Sequence, residues 1–182
     1  PMLDEFRKLA YRLGLEPDSK LMRSGTFTGI GLFLHHRTAH LKETIPILQS
    51  GYQIGLETGS FEFVGYSGYA LSLNLFWSGE ILPDLKTKII SYKEKLKEVN
   101  QLTAANYCSI FLDATLKLIG GENSLESNSV THQNKIIEEA ITSGDRTRLF
   151  YFYLHRFFVH YLLEELELAK EDRIQLREYL SA

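Results

Sequence analysis

Six histidines and a single cysteine are the residues of this 182-residue chain with the widest chemical reach. His36 and His40 stand four apart, a spacing that puts two imidazoles on one helix face and supplies two metal ligands. No third ligand stands near them in sequence, so a polar pair at a helix start is the stronger reading. His155 and His160 are five apart; on one straight helix they point in different directions and do not share a metal. His35 and His132 have no evident partner. Cys108 lies on an apolar stripe with no basic neighbour to lower its pKa, and reads as a small buried hydrophobe. One cysteine forms no intrachain disulfide, and no Cys-x-x-Cys pair is present for zinc, so a cytoplasmic location is expected.

Motifs for catalysis fall short one after another. Gly29-Ile30-Gly31 begins a dinucleotide fingerprint, but Leu34 holds the third glycine position and no strand precedes it. The sequence has no Gly-Lys-Ser/Thr for phosphate, no Gly-x-Ser-x-Gly elbow and no His-Glu-x-x-His. His155-Arg156-Phe157 has the first two residues of a kinase catalytic loop but not the Asp that would take the hydroxyl proton. The expectation is a non-enzymatic chain without catalytic, cofactor or metal residues.

Charge and aromatic content narrow the class further. Residues 19–42 carry Lys20, Arg23, Arg37 and Lys42 with three histidines and no acid, a stretch able to meet a phosphate or an acidic helix. A solvated face balanced by carboxylates elsewhere is the plainer reading, and residues 164–180 hold six acids against three bases. The net charge is −3, which argues against nucleic acid as a partner. Tyr66, Tyr69, Phe76 and Trp77, then Phe150–Tyr153, Phe157, Phe158 and Tyr161, form aromatic runs. They are not interleaved with Lys and Arg as a base-stacking surface would be, and the segment 146–163 is apolar nearly all round. Core packing is expected of them. Gly65, Gly68 and Ser72 would let a neighbouring helix come close. No apolar run approaches the roughly 18–20 residues of a membrane span.

The elements that carry these residues read as helices. Apolar periodicity predicts helices over 3–14, 20–36, 40–58, 61–78, 83–99, 101–119, 132–142, 146–163 and 166–180. Pro46 is expected to bend the third of them. Residues 70–76 alternate as a strand would, but lie in a long segment without a hairpin turn, so they are assigned to helix. Residues 120–131 are polar and Ser/Asn-rich, a loop. The turn Thr58-Gly59-Ser60 recurs as Ser143-Gly144-Asp145, 85 positions on, and the aromatic helix after it recurs with it. Half of 85 is a hairpin of about 40 residues. The expected architecture is an all-α solenoid of antiparallel, tetratricopeptide-like hairpins: 3–36, 40–79, 83–120 and 132–163, with a half-hairpin at 166–180. Pro1 ahead of Met2 suggests a single helical-repeat domain cut from a longer chain.

Residues 36–44 (His-Arg-Thr-Ala-His-Leu-Lys-Glu-Thr), Gly51-Tyr52-Gln53, Gly55-Leu56-Glu57-Thr58-Gly59, Phe61-Glu62-Phe63 and Gly65-Tyr66 carry a resemblance. So do Thr103–Tyr107 and Asp145-Arg146-Thr147. Together they resemble the tetratricopeptide-like helical region of large cyanobacterial signalling kinases. Those proteins join a serine/threonine kinase, an ATPase module, a sensor domain and a histidine kinase. Arg37 stands where the family usually has Trp, Ser60 where it has an acid, and 120–131 lacks the family's Pro/Cys-containing connection. The resemblance implies a non-catalytic scaffold or signal-transmitting interaction module, with other domains of the same chain or partner proteins as its partners. A homodimer is compatible with it. The alternative is a regulatory domain that senses a peptide or small molecule, suggested by 19–42 beside the aromatic hairpin at 61–77.

Overall fold

Amphipathic helices must bury one stripe, and the way this chain reverses direction fixes which helices share that burial. A computed structural model describes residue 5, residues 8–12, residues 20–120 and residues 129–180. Most of the helix expected at 3–14, and most of the polar loop 120–131, lie outside the described residues. The described residues are predominantly helical, and no strand occurs among them. The helices are α1 (Lys20–Gly29), α2 (Thr44–Thr58), α3 (Phe61–Trp77), α4 (Leu82–Glu98), α5 (Leu102–Ile119), α6 (Val130–Ser143), α7 (Arg146–Leu162) and α8 (Leu166–Arg177). Two compact units are formed, Pro1–Cys108 and Ser109–Ala182, the division falling within α5.

Two expected helices differ in detail. The segment 20–36 is not one α-helix: α1 ends at Gly29, and a π-helical turn (Ile30–Leu34) and a 3-10 turn (His35–Arg37) follow. Three glycines leave too little propensity to hold a long regular helix there. The helix expected from 40 begins at Thr44, after a 3-10 turn at Leu41–Glu43. Pro46 therefore lies in the first turn of α2, where its missing N–H costs nothing, rather than at an interior bend. The alternating residues 70–76 are helical, within α3.

The first unit is built on close backbone approach. A Cβ on Gly51 would lie 3.1 Å from Thr28 Oγ1 and 3.2 Å from Ser67 Oγ, and one on Gly55 only 2.7 Å from Val64 Cγ2. Small polar side chains fill this seam and satisfy one another. Ser24 Oγ donates to the Gly51 carbonyl at 2.7 Å, and Thr28 and Ser67 share a hydroxyl hydrogen bond of 2.7 Å. Asn74 Nδ2 donates to Thr44 Oγ1 at 2.8 Å. Beside the seam, Leu48, Ala70 and Leu71 form a core flanked by Leu32, Ile45, Tyr52 and Tyr92. Gly65 and Gly68 serve close approach as expected: their faces meet Gln101 and Leu96.

A recurring reversal orders the chain. Gly59, Gly79, Asn100, Gly120, Gly144 and Glu164 all have positive φ, at intervals of 20, 21, 20, 24 and 20 residues. After five of them the next N–H reaches the carbonyl five residues earlier: Ser60 to Gly55, Glu80 to Leu75, Gln101 to Leu96, Asp145 to Ala140, and Glu165 to His160. This is the left-handed C-cap that closes a helix and turns the chain back. Alternate reversals are 41 or 44 residues apart.

Burial follows the 85-residue offset at six of the ten buried positions of α3. Val64, Ser67, Gly68, Ala70, Asn74 and Leu75 of α3 are buried, and so are Leu149, Phe152, Tyr153, His155, Val159 and His160 of α7. Glu164 holds a left-handed conformation that disfavours any Cβ, so Glu164→Gly is expected to stabilise the fold by about 1 kcal/mol. Gly55→Val, which would meet Val64 and Ser24 Oγ, is expected to cost about 2–3 kcal/mol. Urea-unfolding midpoints measure both.

Candidate functional site

The second unit places charge where α3 has hydrocarbon. The positions of Leu71 and Leu75 in α3 are taken in α7 by Arg156 and His160, 85 residues on. Between them they hold Asp172 of α8, which is 1% exposed. Arg156 Nη2 contacts Asp172 Oδ1 at 2.8 Å, and His160 Nδ1 donates to Asp172 Oδ2 at 2.7 Å. A carboxylate only accepts, so the Nδ1 of His160 carries a proton.

The network extends at both ends. Arg156 Nη1 donates to Gln133 Oε1 of α6 at 3.0 Å, and its guanidinium lies 5.1 Å from the centre of the Phe152 ring. His160 Nε2 lies 3.6 Å from Glu165 Oε2, and the same oxygen accepts from Lys117 Nζ of α5 at 2.7 Å. The Lys117 ammonium holds the Glu165 carboxyl below its ordinary pKa. The run Gln133–Arg156–Asp172–His160–Glu165–Lys117 thus ties four helices of the unit through polar atoms. Tyr179 stacks on Tyr153 with ring centres 5.8 Å apart, and Arg146 lies over Tyr179 and donates to the Glu178 carbonyl.

A cavity of about 40 Å³ lies against this network, room for roughly one or two water molecules. Ile110, Ala114, Ile136, Phe152 and Val159 form its apolar wall, and Lys117, Gln133, Arg156 and His160 are among its polar lining. His155 lines it as well, so two histidines expected to point apart border one space. His155 Nδ1 bonds the Tyr151 carbonyl at 2.8 Å, and full burial pushes its pKa down to about 4. His155 is therefore a neutral core residue packed on Phe111, ring centres 4.8 Å apart.

The His160–Asp172 pair has the form of an oriented general base. Its outer nitrogen, however, faces a carboxylate already bound by Lys117, and among the described residues no hydroxyl or thiol lines the cavity. The contacts of Arg156 and His160 fasten α8 to α7 through Asp172. Burial of Arg148, His155 and His160 also corrects the expectation of an aromatic, apolar core around 146–163.

The remaining candidates are held by contacts of their own. His36 and His40 do not share a helix face. His36 ends in the 3-10 turn, while His40 is extended and accepts the Lys42 N–H on Nδ1 at 3.1 Å, and its own N–H donates to Glu43. His35, buried, lies 3.9 Å from the Glu43 carboxylate, and His132 Nε2 is 3.0 Å from Asp113. Among the described residues no three His, Cys, Asp or Glu side chains could hold a metal. Cys108 is buried against Ser72 Oγ at 3.4 Å, and burial raises its pKa to about 11. In the basic stretch, Arg37 Nε donates to the Phe33 carbonyl. Sequence reading missed Asp172, although it sits with Ala169 and Leu176 at core spacing on α8. That placement was the available signal. No helix among the described residues is long and apolar enough to cross a membrane.

Asp172→Ala strands Arg156 and His160 and is expected to cost about 3–5 kcal/mol in urea unfolding. Replacing Arg156, His160 and Asp172 together by Leu is expected to recover most of that loss. Because His155 is neutral in the fold, the unfolded chain binds the extra proton between pH 6.5 and about 4. Stability on this account falls as pH drops through that window, and His155→Phe is expected to flatten the fall, read from unfolding midpoints. No protein-family model, characterised protein or solved structure matches this chain.

Proposed function

We propose that this chain is a non-catalytic helical-repeat module, a scaffold or signal-transmitting element within a multidomain signalling kinase. The observation that carries the reading is the left-handed reversal recurring every 20–24 residues. Hairpins of 41–44 residues are the size of known helix-pair repeats. The shared buried positions of α3 and α7 support a repeated unit. The resemblance of residues 36–66 and 103–107 to the helical region of cyanobacterial signalling kinases supports the context.

In this reading the chain works through surface and stiffness. Helix pairs stacked as an α-solenoid offer a long face to partner proteins or to other domains, and small rotations between pairs connect the two ends. The polar network of the second unit is consistent with it, since its charges are spent on one another. The purified chain is expected to show no hydrolysis of Mg·ATP above the buffer rate. Turnover that copurifies with the folded chain would overturn the non-catalytic reading.

A further inference from the structure

Many cations of the fold meet carboxylates: Lys88, Lys95, Lys97, Lys117, Arg148 and Arg156 each have one within salt-bridge distance. The basic stretch behaves differently. From residue 19 to residue 56 the sequence holds four Lys and Arg and a single acid, Glu43. Arg37 and Lys42 are exposed, and among the described residues neither meets a carboxylate. The expected balance by acids elsewhere is not found at these two residues. Glu43 is engaged locally: its Oε1 accepts the His40 N–H at 3.1 Å, and its Oε2 lies 3.9 Å from His35. Arg37 uses its Nε on the Phe33 carbonyl. His40, also exposed, accepts the Lys42 N–H on Nδ1, so its neutral ring carries the proton on Nε2 as a donor.

These residues stand where the chain turns from α1 into α2, and one edge of α1 runs into the same turn. The inner sides of α1 are filled. Ser24 and Thr28 bond into the seam with α2 and α3, a Cβ on Gly25 would meet the Phe63 ring, and Phe27 stacks on Tyr11 at 5.3 Å. The side left over carries Met22, Thr26, Gly29 and Phe33, spaced four, three and four. Met22 is 75% exposed and Phe33 61%, and a Cβ on Gly29 would meet nothing within 4 Å. Thr26 Oγ1 donates to the Met22 carbonyl at 3.1 Å, so the one hydroxyl of the line is satisfied within the helix. At 1.5 Å per residue this edge is about 16 Å long. It ends among cations that have no carboxylate.

We propose that the Met22–Phe33 edge and the Arg37–Lys42 turn together form a site for peripheral binding to an anionic phospholipid surface. Met22 and Phe33 enter the boundary between headgroups and acyl chains, while Arg37, His40 and Lys42 meet lipid phosphates. The combination of features selects the occupant. A free phosphate would take the cations and leave Met22 and Phe33 in water. An uncharged apolar surface would take those two and leave Arg37 and Lys42 without counter-charge. A bilayer supplies hydrocarbon and negative charge side by side in one plane, which matches an edge and a turn. With only ten residues, α1 lies on such a surface and does not cross it. The proposal goes beyond the helical-repeat reading and does not depend on it.

The test sediments the full chain with phosphatidylcholine vesicles, with and without phosphatidylserine. The expected result is binding to the phosphatidylserine vesicles that weakens as salt rises, and none to phosphatidylcholine alone. Arg37→Gln with Lys42→Gln is expected to weaken binding at least tenfold, and Phe33→Ser about tenfold. Gly29 has an ordinary helical backbone, φ −62° and ψ −42°, so it accepts a side chain, and Gly29→Leu is expected to strengthen binding severalfold. Phe33→Trp is expected to show a blue-shifted emission on adding phosphatidylserine vesicles, a change that the parent chain, with Trp77 alone, does not show. Circular dichroism and the urea midpoint check that these exposed-site variants fold. No binding to phosphatidylserine vesicles, equal binding to phosphatidylcholine, or binding indifferent to Phe33→Ser and Gly29→Leu would each overturn the proposal. A soluble acidic amphipathic peptide that outcompetes the vesicles and depends on Phe33 would overturn the choice of occupant. ATP turnover bears on the proposed function instead.

Discussion

Everything in this chain depends on reversing a helix within three or four residues, again and again. A left-handed residue at the C-cap lets the next N–H return to the helix it has just left, which satisfies orphan carbonyls while the chain turns. At Gly59 and Gly144 the missing Cβ makes that conformation free of strain. At Asn100 and Glu164 the same turn is held by a residue with a side chain, so the packing of the flanking helices must impose it. The spacing of the reversals sets helix length, and helix length sets which side chains meet.

Within this scheme the two units solve the same packing problem with different chemistry. In the first, glycine and small hydroxyl residues bring α1, α2 and α3 together so closely that a methyl group does not fit, and hydroxyls bond across the seam. In the second, a buried carboxylate is held between a guanidinium and an imidazole, with a second carboxylate and an ammonium beyond. Desolvating such charges costs several kcal/mol per ion and is offset only by near-complete pairing. α8 has just Ala169 and Leu176 as buried apolar anchors, and Asp172 is its third buried residue.

Burial dominates the shifts of His155, Cys108 and Tyr52. His155 and Cys108 are shifted away from their charged forms by burial. Tyr52 is pushed up to about 12 by burial and by its edge contact with Tyr92. These are the shifts of a packed interior. At the end of α7, by contrast, Tyr161, Leu162 and Leu163 are exposed.

From residue 44 onward the helices, their order and the paired turns at 58–60 and 143–145 were legible in the sequence, because periodicity and a glycine C-cap are local properties that neighbouring residues fix. The roles of Gly65, Gly68 and Cys108 were legible for the same reason: small size on an apolar stripe has few other meanings. Asn100 and Glu164 as reversal points were not, since nothing in a single residue type announces a left-handed conformation imposed by its surroundings. The network from Lys117 to Asp172 was hidden more deeply. Its members are 55 residues apart at the extremes, and each alone looks like an ordinary surface charge. Only the packing of α5, α6, α7 and α8 decided that these charges face one another, because electrostatic partnership is set by distance in space. The sequence by itself determined a run of helices and the glycine turns between them, which local residues fix; the tertiary structure decided which polar residues became core.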